Sequence, residues 1–180
     1  VIYEQEPEAV LMAIPCWPWT SLSNAKPPWK RDQDRKSVMP MVRFCIAVAY
    51  HQIRHGRWFL FENPQGSALW HIEEMVALAN VYGVTWDILD MCMYGMKDPV
   101  SHKFYNKSVC LMHNFPEGVL DPLFVRCRPN KEGEYHEHEV VQGRVKGESR
   151  GAISQVYPMR FCQRLASLIH DFLHSKPLPV

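Results

Sequence analysis

Two short apolar runs, each stopped at its carboxyl end by a proline-bearing turn, constrain this chain more than any other feature. The first is Ala9-Val10-Leu11-Met12-Ala13-Ile14 before Pro15, and the second is Trp58-Phe59-Leu60-Phe61 before Glu62-Asn63-Pro64. Runs of this length suit strands buried on both faces, as in parallel sheets covered by helices. Between them Val42, Cys45, Ile46, Ala49, Tyr50 and Ile53 recur at helical spacing, and His55-Gly56 stops the helix. Residues 71–82 predict a second helix ended by Gly83, and residues 84–93 a third strand ending at Tyr94-Gly95. Strand, helix, strand, helix, strand predicts an α/β fold with an open parallel sheet. In such sheets the working groups lie beyond the carboxyl ends of strands, where Cys16, Glu62 and Cys92 fall.

The rest of the chain reads differently. The stretch from 21 to 40 is polar and proline-bearing. Residues 97–156 are irregular, polar and rich in Cys and His, with one strand expected near 108–112. After Tyr157-Pro158 an amphipathic helix is expected to about His174, carrying Phe161, Leu165, Leu168, Ile169 and Phe172 on one face. The expected organisation is therefore an α/β region over 1–96, an irregular insert over 97–156, and a closing helix and tail over 157–180.

At 180 residues, 47% of them hydrophobic and 22% charged, the chain can bury a substantial core and is not compositionally disordered. Its formal net charge of +1 gives no global attraction to nucleic acid, so a DNA contact needs a local patch. Lys26, Lys30, Arg31, Arg35 and Lys36, set against Asp32 and Asp34, are the best candidate. Six cysteines without a CxxC pair do not form a secreted disulfide framework, and a reducing, intracellular setting, nuclear or cytoplasmic, is expected. No apolar run approaches the ~20 residues needed to cross a bilayer, and no membrane partner is expected.

Cys16 stands in Ile14-Pro15-Cys16-Trp17-Pro18-Trp19-Thr20-Ser21, directly after a strand. A cysteine held on such a loop can be a nucleophile where its thiolate is stabilised. Glu62 ends a second strand, and adjacent strand ends would bring thiol and carboxyl group into one crevice, a pairing suited to covalent catalysis with proton donation.

Pro-Cys after one strand, then a helix, then a strand ending in Glu-Asn resembles the paired catalytic motifs of cytosine carbon-5 DNA methyltransferases. The likeness is closer to the phage-type and mobile-element polyprotein variant: Pro15-Cys16, Trp19 and Ser21-Leu22, then Glu62-Asn63-Pro64, Gly66-Ser67 and Trp70. Cys92-Met93-Tyr94-Gly95, the 103–114 segment, Cys127 with His136-x-His138, and Gln155-Val156-Tyr157-Pro158 with Phe161-Cys162 continue it in order. This resemblance implies a partial Rossmann-like methyltransferase sheet. Cys16 would add to carbon 6 of a flipped cytosine, and Glu62 would hold and protonate the ring nitrogen. Asn63 and Pro64 become candidate cofactor contacts for S-adenosylmethionine, and Trp17, Trp19 and Ser21 candidates for lining the base pocket.

There are departures from the pattern. Ile14 replaces the first of two usual prolines, Trp17 replaces a polar residue, and the family's arginine-bearing strand motif has no counterpart near 89–94. The glycine-rich loop that cradles the cofactor precedes the first catalytic motif in that family, so an upstream segment of the same polyprotein is its expected source. Without it the domain would not methylate. The alternative is a non-catalytic nucleic-acid-binding or interaction module of a mobile-element polyprotein, stabilised by zinc. Cys110, His113, Cys127, His136 and His138 are the candidate ligands, since zinc takes thiolates and imidazoles tetrahedrally.

Overall fold

The computed structural model describes residues 2–175. In chain order its elements are helix α1 (Ile2–Gln5), strand β1 (Ala9–Ala13), helix α2 (Pro28–Arg54), strand β2 (Trp58–Pro64), helix α3 (Glu73–Ala79) and strand β3 (Thr85–Asp90). There follow β4 (Phe104–Tyr105), β5 (Ser108–His113), β6 (His138–Glu139), β7 (Arg144–Val145), β8 (Glu148–Ser149), α4 (Arg150–Ile153) and α5 (Met159–Ser175). Short 3₁₀ turns occupy Ser21–Ala25, Ala68–His71, Met91–Tyr94 and Asp121–Leu123.

The fold is mixed α/β. Its main sheet has four strands in the order β1-β2-β5-β3, with β1 and β2 parallel; β4 and β6 form a short parallel pair, β7 and β8 an antiparallel one. β5 stands between β2 and β3. The chain divides into two compact units, residues 1–87 with 110–116, and residues 88–109 with 117–180.

In the first unit β2 is buried from Phe59 to Asn63, on both faces, as its unbroken apolar run requires. Phe59, Leu60, Phe61, Leu69, Met75 and Leu78 are fully enclosed, and Val42, Val48 and Ala49 of α2 join them in the core. Helix α2 begins much earlier than its apolar spacing predicts. Pro28 stands at its first turn, where a missing N–H costs nothing and the fixed φ favours helix. Pro40 lies inside it, so the proline-bearing 21–40 stretch is helical from Pro28 onward.

Buried Gln52 anchors the end of α2, donating from Nε2 to the carbonyls of Pro7 (2.9 Å) and Trp58 (3.0 Å). Asn114, near the end of β5, accepts from Phe59 N–H at 2.8 Å and donates to the Arg57 carbonyl at 2.8 Å.

The second unit buries Leu89, Met91, Tyr105, Val109, Leu120, Leu123, Phe161 and Leu165. Gly95, at φ 88°, ends the Met91–Tyr94 turn in the left-handed region that an L side chain resists. Asp98 is fully enclosed. It accepts hydrogen bonds from the backbone N–H groups of Val100 (2.9 Å) and Ser101 (2.8 Å), from Tyr105 Oη (2.9 Å) and from Arg150 Nε (2.7 Å). Burial alone would raise its pKa, but those four donors outweigh it and hold the carboxyl well below the usual range. Among the described residues no helix is long and apolar enough to cross a membrane.

Candidate functional site

Two groups of chemistry-bearing side chains stand out, one in each unit. In the first unit the register of β1 on β2 sets Ala13 beside Glu62. Cys16 follows Ala13 by three residues, so the thiol-bearing loop and the carboxyl end of β2 leave the sheet side by side.

Two hydrogen bonds strap these loops together. Asn63 Nδ2 donates to the Ile14 carbonyl at 3.0 Å, and Ala68 N–H donates to the Trp19 carbonyl at 2.8 Å. The Cys16 carbonyl accepts from Trp19 N–H (2.9 Å) and Thr20 N–H (3.1 Å), turning the loop sharply just after the thiol. Across from it Trp70 Nε1 donates to the Pro64 carbonyl at 2.9 Å, and Ser67 Oγ caps the next turn by accepting from Leu69 N–H at 3.2 Å. Cys16 is half-buried and Glu62 is buried.

Asn63 and Pro64, expected at the cofactor, make hydrogen bonds to Ile14 and Trp70. Asn63 is enclosed and its donor is spent on Ile14. Its Oδ1 is buried with no hydrogen-bond partner, as is Nε1 of Trp19. Trp17 and Trp19 separate in role: Trp19 is 4% exposed and packs the loop, whereas Trp17 is 41% exposed and offers ring surface. Each is covered by a cation, Arg35 over Trp19 (5.4 Å) and Lys26 over Trp17 (4.7 Å). Arg35 Nε also donates to the Pro18 carbonyl at 3.2 Å. Lys26 pairs with Asp34 at 2.7 Å, and that hydrogen bond holds the Asp34 carboxyl below its ordinary pKa. Ser21 is exposed and opens the Ser21–Ala25 turn.

In the second unit the ligand atoms of Cys92, Cys127, His136 and His138 all lie within 4.8 Å of one another, a group that could hold a metal ion. Cys92 sits in the turn just after β3. His138 sits on β6, held against β4 by the register Phe104↔His138 and by Asn106 N–H donating to the Glu139 carbonyl at 3.0 Å. Cys127 Sγ is 3.8 Å from His136 Nε2 and 3.8 Å from His138 Nε2. Burial, then the neighbouring Cys127, pushes the Cys92 thiol up to about 12. Burial, then the neighbouring His138, lowers His136, which favours the neutral imidazole.

The sequence therefore named three of these four residues. Cys110 and His113 are not in the group; both are buried on β5 in the first unit, where His113 Nε2 is 3.6 Å from Asp87 Oδ2. Burial, with the negative charges of Asp87 and Glu62, pushes the Cys110 thiol up to about 12. Cys92 was missed because 35 residues separate it from Cys127 and no short spacing links them. Its position at a strand's end was the only signal.

No protein-family model, no curated protein and no solved structure matches this chain.

Proposed function

We propose that the first unit carries a cysteine-nucleophile and carboxylic-acid site of the cytosine carbon-5 methyltransferase kind, on a sheet that is part of a Rossmann-like methyltransferase fold. The observation that carries this reading is the register of Ala13 on Glu62, which sets the two loops side by side. The Cys16 thiolate would add to carbon 6 of a cytosine drawn out of DNA, pushing an electron pair toward carbon 5. Glu62, shielded from water, would donate a proton at the ring nitrogen, so that charge does not accumulate in the adduct. Buried Asn63 Oδ1 and Trp19 Nε1, an acceptor and a donor without partners, support a polar ligand here.

DNA as the partner is supported by exposed Trp29 standing among Lys26, Lys30 and Arg31, since aromatic rings interleaved with cations suit bases and phosphates. S-adenosylmethionine supplies an electrophilic methyl group in such reactions. The residues preceding Cys16 do not form a cradle for it, because the first glycine in the sequence is Gly56.

The test uses a duplex containing 5-azacytosine, whose carbon 6 accepts a thiolate. The full chain should form a denaturation-resistant protein–DNA band, absent in Cys16→Ser and formed about 100-fold more slowly in Glu62→Gln. No band from a chain that binds the same duplex would overturn the catalytic reading.

A second reading is favoured by the Cys92, Cys127, His136 and His138 group: a zinc-stabilised nucleic-acid-binding or interaction module of a mobile-element polyprotein. Zinc uptake together with DNA binding but no adduct would select it.

A further inference from the structure

We propose that Cys92, Cys127, His136 and His138 form a closed, four-ligand structural zinc centre on which the 124–144 segment is built. This rests on reading the group as a metal site and goes on to its coordination and its purpose.

The donor set comes first. Two thiols and two imidazoles are soft and borderline ligands, which select zinc over the oxygen-seeking magnesium and calcium. Geometry agrees. With Zn–S near ~2.3 Å and Zn–N near ~2.0 Å, a tetrahedron has edges of roughly 3.3–3.8 Å. Cys127 Sγ stands 3.8 Å from one nitrogen of each histidine, and the four ligand atoms keep within 4.8 Å. Four protein ligands leave no position for water or substrate, which is the mark of a structural rather than a catalytic site.

The surroundings support the same conclusion. Asp90 Oδ2 accepts from Cys127 N–H at 2.7 Å and from Arg126 Nε at 3.0 Å, while its Oδ1 accepts from Ser108 Oγ at 2.5 Å. That carboxylate stands two residues before Cys92 and fixes the backbone at Cys127. The Phe104 ring lies 4.5 Å from the His136 ring, limiting its rotation. Outer contacts of this kind orient the ligands of a metal.

The segment also needs such a centre. From 124 to 144 no side chain is buried, and its only regular structure is the two-residue β6 and the first residue of β7, Arg144. A stretch with no core of its own gains its folding energy from the ion when one binds.

The experiment is Zn²⁺ and Co²⁺ titration of the full chain under reducing conditions. One ion per chain is expected, with an intense tetrahedral Co²⁺ spectrum and sulfur-to-metal charge transfer unchanged by added azide. Chelation should make 124–144 cleavable by protease. Cys92→Ser should weaken Zn²⁺ binding at least about 100-fold, while Cys110→Ser binds like the parent. Failure of the parent chain to take up Zn²⁺ would overturn the metal reading and the proposal together. Uptake with a weak, azide-sensitive Co²⁺ spectrum, or with Cys92→Ser binding like the parent, would overturn only the closed centre. Because the spectrum is read on the parent chain, misfolding of Cys92→Ser would not spare the proposal.

Discussion

Asn63 Nδ2 donates to the carbonyl of Ile14 across 3.0 Å, and this one buried bond ties residues 49 apart in sequence. It joins the loop that carries Cys16 to the strand end that carries Glu62. Removing the donor would leave a buried carbonyl unsatisfied, a loss of about 1–3 kcal/mol. Asn63→Ala is expected to lower the urea midpoint accordingly, and to slow 5-azacytosine adduct formation more than the stability change alone would. An unchanged midpoint would show that the bond holds nothing.

Arg35 acts on the same loop from α2, its guanidinium over Trp19 and its Nε on the Pro18 carbonyl. Arg35→Met keeps the aliphatic stem and removes both interactions. The expected loss is about 1–2 kcal/mol of stability, with a several-fold slower adduct, read by urea unfolding and gel-based trapping. If Arg35 serves phosphate binding alone, DNA affinity would fall while stability stayed constant.

Asp98 governs the acid response of the second unit. Its folded pKa lies well below the unfolded value of about 3.9, so its stabilisation is complete above about pH 5 and is lost as pH falls. Asp98→Ala strands Arg150, the Tyr105 hydroxyl and two backbone N–H groups, and is expected to cost about 3 kcal/mol at pH 7. Thermal unfolding from pH 7 to pH 2 should show the gap between parent and variant narrowing below pH 5. A gap constant with pH would mean that the ionised carboxylate is not what stabilises.

Asp90 is expected to act through Cys127 rather than on the metal. Asp90→Ala should weaken Zn²⁺ binding by about 10–100-fold and leave the tetrahedral Co²⁺ spectrum in place once saturated. Loss of the spectrum at saturation would make Asp90 part of the ligand set.

The strands were the most legible part of the sequence. The runs before Pro15 and Glu62-Asn63-Pro64 became β1 and β2; β2 is buried on both faces, whereas in β1 only Met12 is buried and Leu11 is exposed. The closing helix was legible from Phe161 and Leu165, one turn apart and both buried. The first half of α2 was hidden, since its exposed face is polar and prolines at 28 and 40 read as breakers. The place of β5 between β2 and β3 was also hidden, because pairing between distant strands leaves no local signature. For the site, Cys127, His136 and His138 were near enough in sequence to be grouped. Cys92 was brought in only by the turn after β3 and by Asp90, which no spacing records.

Pro40 gives α2 a mechanical consequence. It offers no N–H to the Lys36 carbonyl, so the helix lacks one rung between its amino-terminal part and the stretch buried around Val42, Ile46 and Ala49. Arg35 lies on the amino-terminal side of that missing rung and holds the loop of Trp17 and Trp19. Bending at Pro40 would lift the start of the helix and that loop as one piece. The missing rung weakens the helix locally, and amide exchange should be faster before Pro40 than after Val42.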